Sequence, residues 1–138
     1  MIRITALIAT GTLFLTACQT GTGVDAIAPT ETITLHKTEP ENAAPDTCWA
    51  NQTAPQADQN IWFQTPCPDA LDMEFIKTLQ RALKARGLYD GEIDGTLGTG
   101  TRKAIRMYQA AHGLDSDVLA LDTARQLGLI AYPRPDNT

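Results

Sequence analysis

The chain has little histidine and little cysteine: His36 and His112, and Cys18, Cys48 and Cys67, in 138 residues. No C-x-x-C pair is present and the two histidines lie far from the cysteines, so the ligand spacing of a zinc site is missing. The only serine, Ser116, stands apart from both histidines, and no nucleophile beside a base can be named. No catalytic residue, metal ligand or cofactor is therefore assigned. Basic residues are also few, 11 against 16 acids, for a net charge of −5. Without a basic patch the chain is a poor partner for a phosphate backbone, which excludes nucleic acid as a first choice. Long apolar runs are missing too. The longest, residues 4–16, is too short for a bilayer core of ~30 Å.

That run follows a short positive start (Arg3) and has the length of a signal-peptide core. It ends in Leu15-Thr16-Ala17-Cys18, which resembles the bacterial lipobox. The resemblance implies cleavage after residue 17 and lipid transfer to Cys18. Several acyl chains on one residue hold a protein on a membrane firmly, where one is marginal. Gln19 stands where an Asp favours inner-membrane retention, so the expected location is the outer membrane, facing the periplasm.

Charge is unevenly spread. Residues 19–70 carry seven acids and one base, whereas residues 71–130 carry eight of each. Residues 18–46 contain Pro29, Pro40 and Pro45, many Thr and Ala, and no sustained period, and read as a flexible acidic tether. About 28 such residues reach roughly 95 Å when extended. Cys48 and Cys67 then remain as a pair. In an oxidising compartment a disulfide is the default, and it closes a loop of 18 residues. Trp49 and Ile61-Trp62-Phe63 beside that staple indicate a packed lead-in over residues 47–70, with a short strand over residues 60–65.

Residues 71–130 are the most informative. Asp72 is a good N-cap, Glu74 suits the helix dipole, and Ile76, Leu79, Ala82 and Leu83 follow at helical spacing. Gly87 ends this helix, with Leu88 and Leu83 placed for the apolar contact of a Schellman stop. A turn-rich stretch over residues 89–98 has Ile93 and Leu97 as inward anchors. A second helix begins near Thr99, carries Ala104, Ile105, Tyr108 and Ala111 on one face, and ends at Gly113-Leu114. A third runs over residues 120–127 and ends at Gly128-Leu129, leaving residues 131–138 as a tail. Three helices with the same Gly-Leu ending predict a mainly α, compact three-helix unit of feasible size.

Leu79-Gln80, Gly87-Leu88-Tyr89, Gly91, Ile93-Asp94-Gly95, Gly98, Thr101, Ala104-Ile105, Tyr108-Gln109 and Gly113-Leu114 occur in order, followed by Thr123 and Leu127. This string resembles the peptidoglycan-binding domain family, a three-helix module often appended to cell-wall hydrolases. Tyr108 replaces the usual Phe, and Val118 stands where the family often has the Gly of an Asp-Gly turn. The resemblance implies non-catalytic peptidoglycan binding through a shallow groove near the Asp94-Gly95 turn and the second helix. Its candidate contacts are Tyr89, Asp94, Gly95, Gly98, Thr101, Arg102, Tyr108 and Gln109. A lipidated protein of this kind links membrane to wall. The alternative is a protein-interaction module that recruits or regulates a cell-wall hydrolase.

Each candidate also has a structural reading. Asp90, Glu92, Asp94 and Gly95 fall at positions 1, 3, 5 and 6 of an EF-hand loop, but position 12 is Thr101, so calcium is set aside. Gln80 and Gln109 read first as amides that lock the turns, Thr101 as a helix cap, and Tyr89 and Tyr108 as half-core residues. Arg102, Lys103 and Arg106 form a basic stripe, either a solvated face or a contact for stem-peptide carboxylates.

Overall fold

The computed structural model describes residues 32–41, 47–53 and 59–133. The expected signal peptide, the expected lipid site Cys18, most of the expected tether and the end of the tail lie outside the described residues. Two antiparallel strands, β1 (Cys48–Thr53) and β2 (Asn60–Thr65), precede a 3-10 turn at Pro68–Ala70. Helices α1 (Met73–Ala85), α2 (Thr99–Ala110) and α3 (Leu121–Gln126) follow. Among the described residues no helix is long and apolar enough to cross a membrane.

The helices start and stop as local chemistry dictates. The Asp72 carboxylate accepts from the Phe75 N–H at 2.8 Å, capping α1. At the other end Leu88 N donates to Leu83 O at 3.0 Å and Gly87 N to Lys84 O at 3.0 Å, the paired bonds of a Schellman stop. Gly113-Leu114 and Gly128-Leu129 repeat the device: Leu114 N bonds Gln109 O at 2.9 Å and Leu129 N bonds Ala124 O at 2.8 Å. All three glycines have the positive φ that the motif needs (71°, 92° and 78°).

Ile76, Leu79, Leu83, Ala104, Ile105, Leu119, Ala124 and Leu127 form the main core. Leu97 packs against it from the turn region, as expected. Ala111 does not face inward: it is exposed, and Gln109 is buried in that part of α2 instead. The helix has already ended at Ala110, and the loop that follows needs polar partners that an alanine cannot supply.

The expected strand over residues 60–65 is present, and its unexpected partner is β1, paired from Cys48↔Thr65 to Thr53↔Asn60. The Cys48–Cys67 disulfide closes the open end of this hairpin, with Cα atoms 5.1 Å apart. Phe63, 1% exposed, points from β2 into a second small core with Ile33, Leu114 and Ala120. The Thr65 hydroxyl donates to Leu119 O at 2.8 Å and the Gln52 amide to Asp115 O at 2.7 Å. The hairpin is thereby fastened to the loop between α2 and α3.

The tether reading needs correction within residues 33–36. Ile33 is 3% exposed in the second core. Thr34 N donates to the Asp122 carboxylate at 2.9 Å, and His36 makes an antiparallel bridge to Trp62 with N–O distances of 2.8 and 2.7 Å. Composition misleads here because one isoleucine and a few backbone groups dock a segment that is otherwise polar.

Candidate functional site

The turn after α1 is organised by one buried side chain. Gln80 is fully buried, and its amide nitrogen lies 2.7 Å from the Asp94 carboxylate, 3.1 Å from Thr96 O and 3.1 Å from the Thr101 hydroxyl. Two N–H groups are shared among these acceptors. Its carbonyl oxygen accepts from Gly95 N at 3.0 Å. Asp94 also accepts from Thr96 N at 2.8 Å, an Asx turn that rigidifies the reversal. Gly95 has φ +76°, and a Cβ there would sit 2.5 Å from Met73 Cγ and 2.9 Å from Met73 O. Only glycine lets the turn press onto the start of α1.

Gln109 repeats the arrangement one helix later. It is fully buried and donates to Ser116 O at 2.8 Å and Val118 O at 2.9 Å, while accepting from Ala120 N at 2.7 Å. The turn without the family's Asp-Gly is therefore held by this amide.

At the Asp94-Gly95 turn several of the candidate contacts are engaged within the fold. Asp94 is bonded internally, Gly95 is packed against Met73, and Thr101 and Gln109 are 2% and 0% exposed. Thr101 is no cap either. The N-cap of α2 is Gly98, without a side-chain bond, and the Thr101 hydroxyl donates to Thr96 O at 3.1 Å. Tyr89 and Tyr108 are half-buried against the core. The Tyr89 hydroxyl donates to Glu92 O at 2.7 Å, and the Tyr108 ring stacks on His112 at 4.4 Å.

The concave surfaces lie to either side. Tyr89 lines a depression of about 280 Å³ with Gly87, Gly100, Lys103 and Met107. A larger groove, about 480 Å³, runs between the hairpin and the helices and includes Trp49, Pro66, Leu71, Leu97, Arg102 and Leu119. Arg102 is shared with a shallower neighbour of about 250 Å³ that contains Thr99, Lys103, Arg106 and Asp117. The basic stripe is thus divided. Arg106 is engaged by Asp115 in a two-point pair, Nη2 to Oδ2 at 2.8 Å, whereas the Arg102 guanidinium has no partner among the described residues.

Residues 72–117 match the family model described as "Putative peptidoglycan binding domain". The match spans α1, the Gln80-clamped turn, α2 and the start of the following loop, while the hairpin and α3 lie outside it. No curated protein and no solved structure matches the chain. A match to this family supports wall binding in general and an association with the cell wall or envelope, and the family is one of binding domains, not catalytic by themselves.

Two carboxylates give the domain an acid limit. The Gln80 amide and the Thr96 N–H hold Asp94 below the ordinary carboxylate range, and the Arg106 guanidinium does the same for Asp115. A folded-state pKa below the unfolded value adds stability that is present above about pH 4 and fades as the pH falls through the folded value. Melting temperature should therefore drop on acidification below about pH 4. Asp94→Asn keeps an acceptor for Gln80 and should make that drop shallower. An unchanged slope between variant and wild type in a pH series of thermal melts would show that Asp94 does not contribute.

Proposed function

We propose that this protein is a non-catalytic peptidoglycan-binding lipoprotein, anchored through lipid on Cys18 and linking the membrane, on the outer-membrane side, to the wall. The observation that carries wall binding is the domain match over residues 72–117. The Gln80-clamped turn supports it, because the residues of the match that look chemically active, Asp94 above all, serve to shape the domain and are not poised as acid or base. The lipobox-like Leu15-Thr16-Ala17-Cys18 supports the anchor.

The test is co-sedimentation. The chain from residue 18 onward, with Cys18→Ser, is mixed with purified, protein-free peptidoglycan in physiological salt. Saturable pelleting with the wall is the expected result. A folded protein that stays in the supernatant would remove wall binding and leave recruitment of a wall hydrolase as the better reading. Metabolic labelling with a radioactive fatty acid tests the anchor separately: label should enter the wild type and be lost in Cys18→Ser.

A further inference from the structure

The groove between the hairpin and the helices has a chemistry of its own. Its volume, about 480 Å³, falls within the ~300–1,000 Å³ of small-ligand sites. Its walls are apolar and stiff: Pro66 and half-buried Trp49 from the lead-in, Leu71 and Leu97 from the helical unit, with Leu119 beyond. Polar groups are few. The Thr65 hydroxyl, which also lines it, is already engaged by Leu119 O. The charged group is Arg102, half-buried and without an acceptor among the described residues. Asp117 lines only the neighbouring depression and makes no ion pair with Arg102, so this partly desolvated guanidinium is open to a two-point bond from an incoming carboxylate. Trp49, whose indole N–H is buried and lacks an acceptor among the described residues, forms one wall of the same groove.

We infer that this groove binds a short peptide end bearing a free carboxylate and small apolar side chains. In the wall that chemistry belongs to the stem-peptide terminus, so the inference deepens the wall-binding reading and rests on it. A glycan strand fits less well, because sugar hydroxyls need several hydrogen-bonding partners and the groove supplies few. The carboxylate pairs with Arg102, and the methyl groups lie against Leu71, Leu97 and Leu119. Both walls are required, so the site exists only while the hairpin is docked.

The test uses the soluble chain from residue 18 with Cys18→Ser, and the probe diacetyl-L-lysyl-D-alanyl-D-alanine, read by the indole N–H signals in a two-dimensional NMR titration. The free acid should shift the Trp49 signal saturably. The same peptide with an amidated C-terminus should bind at least tenfold more weakly, and so should the free acid with Arg102→Gln. Arg81→Gln, on the exposed side of α1, should leave binding unchanged. Equal binding of acid and amide, or full binding by Arg102→Gln, would overturn the inference. If the peptide fails to bind while intact wall still pellets the protein, this site falls and the wall-binding reading stands. If neither binds, both fall.

Discussion

Gln80→Ala should destabilise the domain by roughly 3–5 kcal/mol, which for a unit of this size lowers the melting temperature by about 15–30 °C. The size of the effect comes from what the substitution leaves behind. Gln80 is fully buried on α1, and its amide meets partners from across the following turn. Its loss leaves a void under the turn and leaves the Gly95 N–H and the Thr101 hydroxyl each short of a partner. Asp94 loses the contact that holds its carboxylate in place. Folded domains have only about 5–15 kcal/mol in hand, so this loss is a large share of the whole. Gln80→Glu should be no better, since it sets a second carboxylate against Asp94. Thermal melts followed by circular dichroism measure both. A loss under about 1 kcal/mol would mean that the turn holds itself and that the amide is a passenger.

Breaking the Cys48–Cys67 bridge should have the next largest effect, on the order of 3 kcal/mol for a loop of this length. An isolated two-stranded hairpin is marginal in water, and this one relies on the bridge at its open end and on Phe63 in a small second core. The helical core contains no residue of the hairpin. Cys48→Ser with Cys67→Ser should therefore loosen the hairpin first. The readout is built in, because both tryptophans, Trp49 and Trp62, lie in the hairpin while the helices dominate far-ultraviolet dichroism. In wild type the two signals should change together in urea. In the double variant the fluorescence transition should move to lower urea and separate from the helical one. Coincident, unmoved transitions would show that docking alone suffices. The same variant should lose the carboxylate-dependent peptide binding, since Trp49 and Pro66 are one wall of the groove.

What could be read from the amino acids alone follows from the range of the interactions involved. Asp72 as a cap and the Gly-Leu endings at residues 87, 113 and 128 are decided within a turn or two of chain, and all appear as expected. So does the apolar stripe of Ile76, Leu79 and Leu83. The contribution of β1 was hidden because Cys-Trp-Ala-Asn-Gln-Thr has no clean alternation, and its register comes from β2 and the bridge. Ile33 was hidden for a stronger reason: its partners, Phe63, Leu114 and Ala120, lie 30 to 87 residues away. The candidate site was legible in part. Arg102 and Tyr89 do face concave surfaces, but Asp94, Gly95, Thr101 and Gln109 hold the fold together. A polar residue in a turn looks the same on paper whether it faces a ligand or a buried amide. The groove between hairpin and helices was invisible, because its walls come from segments that only the folded chain brings together.

The docked segment at residues 33–36 changes how a membrane-bound form would carry load. Were lipid on Cys18 to hold the chain, 15 residues would separate that point from the docked Ile33, a contour of at most about 50 Å. That is little more than half the reach expected of the whole acidic segment. A pull from the membrane would enter at Ile33 and Thr34, which are held by His112 and Asp122 at the ends of α2 and α3, and at the His36–Trp62 bridge. Tension would be delivered directly to the helical unit, and the covalent staple would sit outside the line of force.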